Sequence, residues 1–220
     1  MSDLLDLITE HLDEFGGGLW VTLRLVVASF AIALVVGTLI AALRIAPTQW
    51  TRRLGGIYVE TFRNVPLLVL LTLAYAGLRR AGLPIDQWTA GVASLGLYTA
   101  AYVAEVLRSG VFAVSRGQRE AALSLGFSDR ETLRRIVLPQ AFRTVIPPLG
   151  SITIAMIKNS AIVGASIIAL NDILKEARIV QAQTFKTEES FFWAAVGYLL
   201  LTGTATVAFR MLERRLTISR

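Results

Sequence analysis

The sequence has no cysteine and a single histidine, His11. The first absence excludes disulfides, thiol nucleophiles and cysteine-ligated metals; the second excludes a multi-histidine metal site and a His-based triad. Lysine is nearly missing too. Lys158, Lys175 and Lys186 are the only ones, and none closes a G-x-x-x-x-G-K-[ST] string, so no loop of that kind cradles a nucleotide's phosphates. There is no internal repeat and no low-complexity tract, which gives no support to a pseudo-symmetric, freestanding carrier. The first fifteen residues hold Asp3, Asp6, Glu10, Asp13 and Glu14 but no Lys or Arg, the reverse of a secretory signal's basic start.

What the chain has in quantity is apolar residues: 54% of 220, with a mean hydropathy of +0.59. A soluble domain of this size carries far more charge. The net charge of +6 comes from basic residues interleaved with apolar runs of span length. That pattern describes a membrane protein with basic loops and not a nucleic-acid patch, so no nucleic-acid partner is expected.

In chain order, Leu4, Leu5, Leu7, Ile8 and Leu12 recur at helical spacing and predict an interfacial amphipathic helix, with Gly16, Gly17 and Gly18 as a flexible joint. Leu25 to Leu43 is charge-free between Arg24 and Arg44, and at ~1.5 Å per residue it reaches roughly 28 Å, about the hydrocarbon thickness. A second span begins near Ile57, with Glu60 and Arg63 at its boundary and Pro66 one turn further in. The third starts near Gln87 and runs past Glu105 and Arg108 to about Val114. Thr144 to Leu170 is apolar apart from Lys158, Asn159 and Ser160, and Pro147, Pro148 and Gly150 predict an interrupted or kinked helix there. A polar loop over 171–189, partly helical, precedes a last span from Ser190 to Phe209.

Five spans put the termini on opposite sides. With the leader outside, the inner segments carry fourteen Lys and Arg against five in the outer ones, so the N-terminus is expected outside and the C-terminus in the cytoplasm. Of the intramembrane charges, Glu105 and Arg108 stand at i, i+3 and can neutralise each other. Lys158 lies deeper with no acid nearby in sequence. It either pairs with a carboxylate or backbone carbonyls to hold the broken helix, or faces a cavity and biases it toward anionic groups.

The polar stretch 117–140, GQREAALSLGFSDRETLRRIVLPQ, separates the third and fourth spans. Arg119 to Leu125 favours helix, Gly126 can take positive φ past its end, and Ser128 with Glu131 has capping-box spacing. Pro139 is expected to stop the second helix, which gives two short helices with a sharp bend. The alternative is an amphipathic helix–turn–helix lying on the membrane. Glu120-Ala121-Ala122, Gly126, Ile136 and Leu138-Pro139 match the pattern EAA-x3-G-x9-I-x-L-P and so resemble the EAA loop of bacterial ABC-type import permeases. Thr61 to Leu68 (TFRNVPLL) resembles the F-R-G/N-T-P-L-L string of the polar amino acid uptake permeases. Val65 stands where Thr is usual, and a hydroxyl is lost. Ala104 to Val111 (AEVLRSGV) and Lys158-Asn159-Ser160 resemble two further strings of the same group.

The resemblance implies an all-α membrane protein with the type I ABC importer permease fold: about five transmembrane helices and a cytoplasmic coupling-helix loop. It implies a leader over 1–18, a permease domain over 19–215 and a cytoplasmic tail over 216–220, set in a bacterial inner membrane. Partners would be an ABC ATPase subunit holding ATP and Mg, a second permease (a copy or a sister chain), an extracytoplasmic amino acid-binding protein, the amino acid and membrane lipid. This chain would carry no cofactor, metal or catalytic residue of its own. Arg119, Glu120, Ala121, Ala122, Gly126, Ile136, Leu138 and Pro139 would couple to the ATPase. Arg63, Asn64, Val65, Pro66, Lys158, Asn159 and Ser160 would line the substrate path between spans two and four. A scaffold or export-type component using the same loop without carrying amino acids is the alternative function.

Overall fold

The computed structural model describes residues 2–216, so all of the expected tail except Leu216 lies outside the described residues. Helices and the short connections between them make up the described residues, with no strand. In order the helices are α1 (Ser2–Glu10), α2 (Leu12–Ile45), α3 (Gln49–Asn64), α4 (Leu67–Arg80), α5 (Gln87–Ala113), α6 (Arg116–Ser124), α7 (Asp129–Ala165), α8 (Ile173–Thr184) and α9 (Thr187–Leu216). Four of them, α2, α5, α7 and α9, are long and apolar enough to cross a membrane; α3 and α4 together make a fifth, bent crossing.

Helix α5 is the centre. Buried residues make up 61% of its apolar window against 6% for α9, so α9 turns most of its surface away from the rest of the chain. Small residues on α5 let its neighbours approach: a Cβ at Gly96 would meet Ile32 at 3.0 Å, and one at Gly110 would run into Val145. Without a hydrophobic drive between helices in lipid, such close backbone packing is what holds spans together. Ser29 Oγ donates to the Val92 carbonyl (3.2 Å) and the Tyr58 hydroxyl to that of Leu97 (2.8 Å), which ties α2 and α3 to α5. Asp86 starts α5, its carboxylate accepting from the Thr89 N–H at 2.9 Å.

Three expectations are corrected. The interruption is in the second crossing: Val65 and Pro66 are extended, and α3 and α4 meet at 102°. Pro66 forces its predecessor out of the helical region, and no packing overrides it. The fourth crossing, by contrast, is one continuous helix despite Pro147 and Pro148. It is clasped on both sides there, by Val145 over Gly110 and by Gly150 under the Phe209 ring, so tertiary packing wins. Pro139 does not end a helix either. A π-turn at Leu133–Val137 widens the helix just before it, and the Gln140 side chain donates to the Ile136 carbonyl at 2.9 Å. The glycines 16–18 are the third case: they lie inside α2, and Gly18 lets α8 approach until a Cβ would stand 3.0 Å from the Ile173 Cα.

The leader is helical but not loose. Leu7 is fully buried with Phe15, Ile173, Ala177 and Val180, and Trp193 Nε1 donates to the Leu4 carbonyl at 2.8 Å. Leu5 and Leu12 remain exposed. The polar loop after the fourth crossing is mostly α8, whose Ile173, Ala177 and Val180 complete that cluster.

Candidate docking loop and membrane path

Helix α6 stands out from the bundle. Only Ala122 on it is buried, and among the described residues its main packing is on the start of α7, the segment Asp129–Val137. Its C-terminal end is fixed by backbone chemistry. Gly126, at φ +86°, follows the last turn; its N–H donates to the Leu123 carbonyl (3.0 Å) and that of Phe127 to Ala122 (3.1 Å), the paired bonds of a Schellman end. Ser128 and Glu131 then form the reciprocal capping box that opens α7. Arg119 spans the bend to Asp129 at 2.8 Å. Glu120 and Ala121 are exposed, as are Leu123 and Leu125 at 41% and 79%, which leaves an apolar tip with an acidic flank. Ile136 is half-buried, and Leu138 and Pro139 are exposed on the same continuous helix.

Leu67 and Leu71 of α4 share one core cluster with Met156 and Ile157 of α7, so the second and fourth crossings do adjoin. Asn64, at the end of α3, and Pro66 are exposed, while Val65 is half-buried. The Arg63 guanidinium lies over the Tyr102 ring at 5.5 Å. Lys158 is exposed on α7, with no ion pair among the described residues, and Asn159 is half-buried. Ser160 is fully enclosed and donates to the Ile157 carbonyl at 2.7 Å, so its hydroxyl serves the fold and not an open path. No group of three or more metal-ligating side chains exists among the described residues.

Glu105 and Arg108 do pair, at 2.5 Å, and the structure adds a third member: Arg44 of α2 ion-pairs with the other carboxylate oxygen. Nothing local in sequence could have joined positions so far apart. The sequence also gave no hint of Asp172. Wholly buried, it caps α8 by accepting the Lys175 N–H (2.9 Å) and accepts from the Tyr198 hydroxyl (3.3 Å). Burial pushes its carboxyl up to about 6.

The model of the binding-protein-dependent transport system inner membrane component family matches residues 33–218. The chain is 38% identical to the probable glutamine ABC transporter permease protein GlnM of Bacillus subtilis (strain 168), covering 96% of this chain and 97% of that one. It is 32% identical to the glutamate/aspartate import permease protein GltJ of Escherichia coli (strain K12), covering 96% and 90%. A crystal structure of an amino acid ABC transporter with histidines superposes with a TM-score of 0.89 at 36% identity, over 94% of this chain and 96% of that chain. The bent second crossing, the projecting loop and these full-length matches agree: the chain belongs to the family of binding-protein-dependent transport system inner membrane components, the multi-pass permease subunits of ABC importers.

Proposed function

We propose that this permease moves polar amino acids inward, driven by ATP that a separate ATPase subunit hydrolyses with Mg. The observation that carries the reading is α6: a short helix with a fixed C-terminal end, exposed on nearly all sides, and presenting the EAA residues. Arg119 and Glu120 supply polar contacts for a cleft in the ATPase, and Ala121 and Ala122 keep the helix thin enough to enter. Gly126 sets the angle at which the chain leaves it. Helix α7 then receives the motion. Its 37 residues span roughly 55 Å without a break, so a push at the loop reaches Lys158 and Asn159 in the membrane. The outcome is alternating access, with α5 as the fixed axis and the corner at Asn64-Val65-Pro66 as the place where the bent crossing opens.

The relatives' solutes, glutamine and glutamate or aspartate, share an α-carboxylate and α-amine. Lys158 and Arg63 favour the carboxylate, and the amides of Asn64 and Asn159 can serve either end of a zwitterion. The excess of Lys and Arg in the segments between the first and second crossings, between the third and fourth, and after the fifth supports a cytoplasmic loop and an outer leader, facing an extracytoplasmic binding protein. A second permease subunit, identical or a sister chain, completes the path beside α7.

The test is co-reconstitution in liposomes with the ATPase and binding protein, with ATP hydrolysis measured against a panel of amino acids. Stimulation by glutamine, glutamate or a basic amino acid, with matching uptake, is expected. Hydrolysis indifferent to every loaded binding protein would favour the scaffold reading.

A further inference from the structure

A cavity of about 700 Å³ opens between the ends of α2, α3 and α5, beside the loop-bearing end of the bundle. Arg44, Arg52, Arg53 and Arg108 line it, together with Gln49 and Glu60. Four guanidiniums face only two carboxylates, Glu60 on the wall and Glu105 between Arg44 and Arg108, so the site carries an uncompensated charge of about +2.

Much of its donor capacity is unspent. Arg53 has no hydrogen bond or ion pair among the described residues, and the Nε of Arg108 is enclosed without a partner. Arg52 uses one nitrogen on the Ala46 (3.0 Å) and Pro47 (2.5 Å) carbonyls. Gln49 begins α3, whose first turn has no side-chain cap, so its amide dipoles add to the positive potential at the rim. An enclosed guanidinium nitrogen without a partner, on a residue that lines a cationic hollow, marks that hollow as a site suited to an anion. Planar guanidinium forks suit phosphate oxygens better than any other common anion.

The rim gives the source. Trp50, Leu54 and Ile57 stand at i, i+4 and i+7 on α3, exposed at 65%, 45% and 62%. They form an exposed apolar stripe along one face of α3, starting at the cavity, and tryptophan is a residue that favours the headgroup level of a membrane. We propose that this cavity binds the phosphate of an anionic phospholipid, its acyl chains lying along Trp50, Leu54 and Ile57. The lipid would brace the junction of α2, α3 and α5, where the bent crossing begins. The site uses none of the residues assigned to coupling or to the solute path. Its readout is lipid retention, so its failure would leave the import reading untouched.

The full transporter, purified and exchanged into nanodiscs of equal phosphatidylglycerol and phosphatidylcholine, is released and its retained lipids are measured by native mass spectrometry. Phosphatidylglycerol should be enriched on the wild type. Arg53→Ala should lower that enrichment about fivefold, the weight of one arginine near an anionic headgroup. Arg53→Lys should keep part of it, and Arg143→Ala, an exposed arginine outside the cavity, should keep all of it. Size-exclusion profiles confirm that the variants remain assembled. Absence of enrichment on the wild type, or an equal loss in Arg53→Ala and Arg143→Ala, overturns the site. Displacement of the lipid by millimolar inorganic phosphate would show a free-phosphate site and overturn the lipid as its source.

Discussion

The carboxylate of Asp172 fills the space that a Cβ at Gly164 would need. Glycine at the end of the fourth crossing therefore lets the buried cap of α8 sit directly against α7. Around it, the Ile173 N–H donates to Thr22 Oγ1 at 3.1 Å and Tyr198 reaches the same carboxylate, so the Asp172-Ile173 pair joins α2, α7, α8 and α9. Gly164→Ala must push α8 away. Overpacking plus a disturbed cap should cost about 1–3 kcal/mol in thermal or denaturant unfolding of the purified chain. Gly203→Ala, where a Cβ meets nothing within 4 Å, is the control and should be neutral or slightly stabilising.

Asp172 should also leave a mark on the pH dependence of stability. Its folded-state value near 6 lies above its ordinary 3.8 because burial disfavours the charge. Between these values the folded chain keeps a proton that the unfolded chain has released. Its contribution is therefore most favourable below about 3.8 and is lost as pH rises through about 6. The full swing is roughly 3 kcal/mol. Asp172→Asn can still accept the Lys175 N–H but cannot titrate. Melting temperatures from pH 4 to 7.5 should fall with pH more steeply for the wild type than for the variant. Parallel curves would show that the carboxyl titrates alike in both states.

The triad of Arg44, Glu105 and Arg108 closes the core near the loop-bearing end, each side chain only 20–31% exposed. Glu105→Gln would leave two guanidiniums facing each other with no counter-charge. Breaking an enclosed pair from one side costs several kcal/mol, and partial exposure reduces this to about 1–3 kcal/mol. A double-mutant cycle with Arg44→Met should recover part of the loss, because the second substitution removes the stranded charge. Additive effects within ~0.5 kcal/mol would mean that Arg44 and Glu105 are not coupled.

These cases also mark what the sequence could reveal. The apolar runs, the capping box and the Gly126 stop are local, set by neighbouring residues; the cap and the stop appear in the structure where the residues place them, and each apolar run lies in a crossing whose ends differ from the run's own. The Glu105–Arg108 pair is local as well. The sequence pattern points to an interruption in the fourth crossing, whereas the structure breaks the second and leaves the fourth unbroken. A proline's effect depends on whether neighbours clasp the helix, and Gly110 and Phe209 are far from Pro147 in sequence. Arg44, the Asp172 cap and the arginine-lined cavity exist only once distant helices meet. Serine 160 shows the same limit from the other side, since its motif neighbours say nothing about which way its hydroxyl points.

Gly126 gives the sharpest test of coupling. Its φ of +86° is a conformation that side chains disfavour, yet a Cβ there would touch nothing within 4 Å. Within this chain, any effect of substitution is then backbone strain and not collision. Asparagine tolerates left-handed geometry, alanine loses about 1 kcal/mol, and a β-branched valine loses more. Coupling should follow the order Gly, Asn, Ala, Val, read as the amino acid-stimulated increment in ATP hydrolysis by the reconstituted transporter. Membrane insertion and basal hydrolysis should stay constant, since the bend lies outside the packed core. If valine couples as well as glycine, the angle between α6 and α7 does not carry the motion, and the lever must act through another contact.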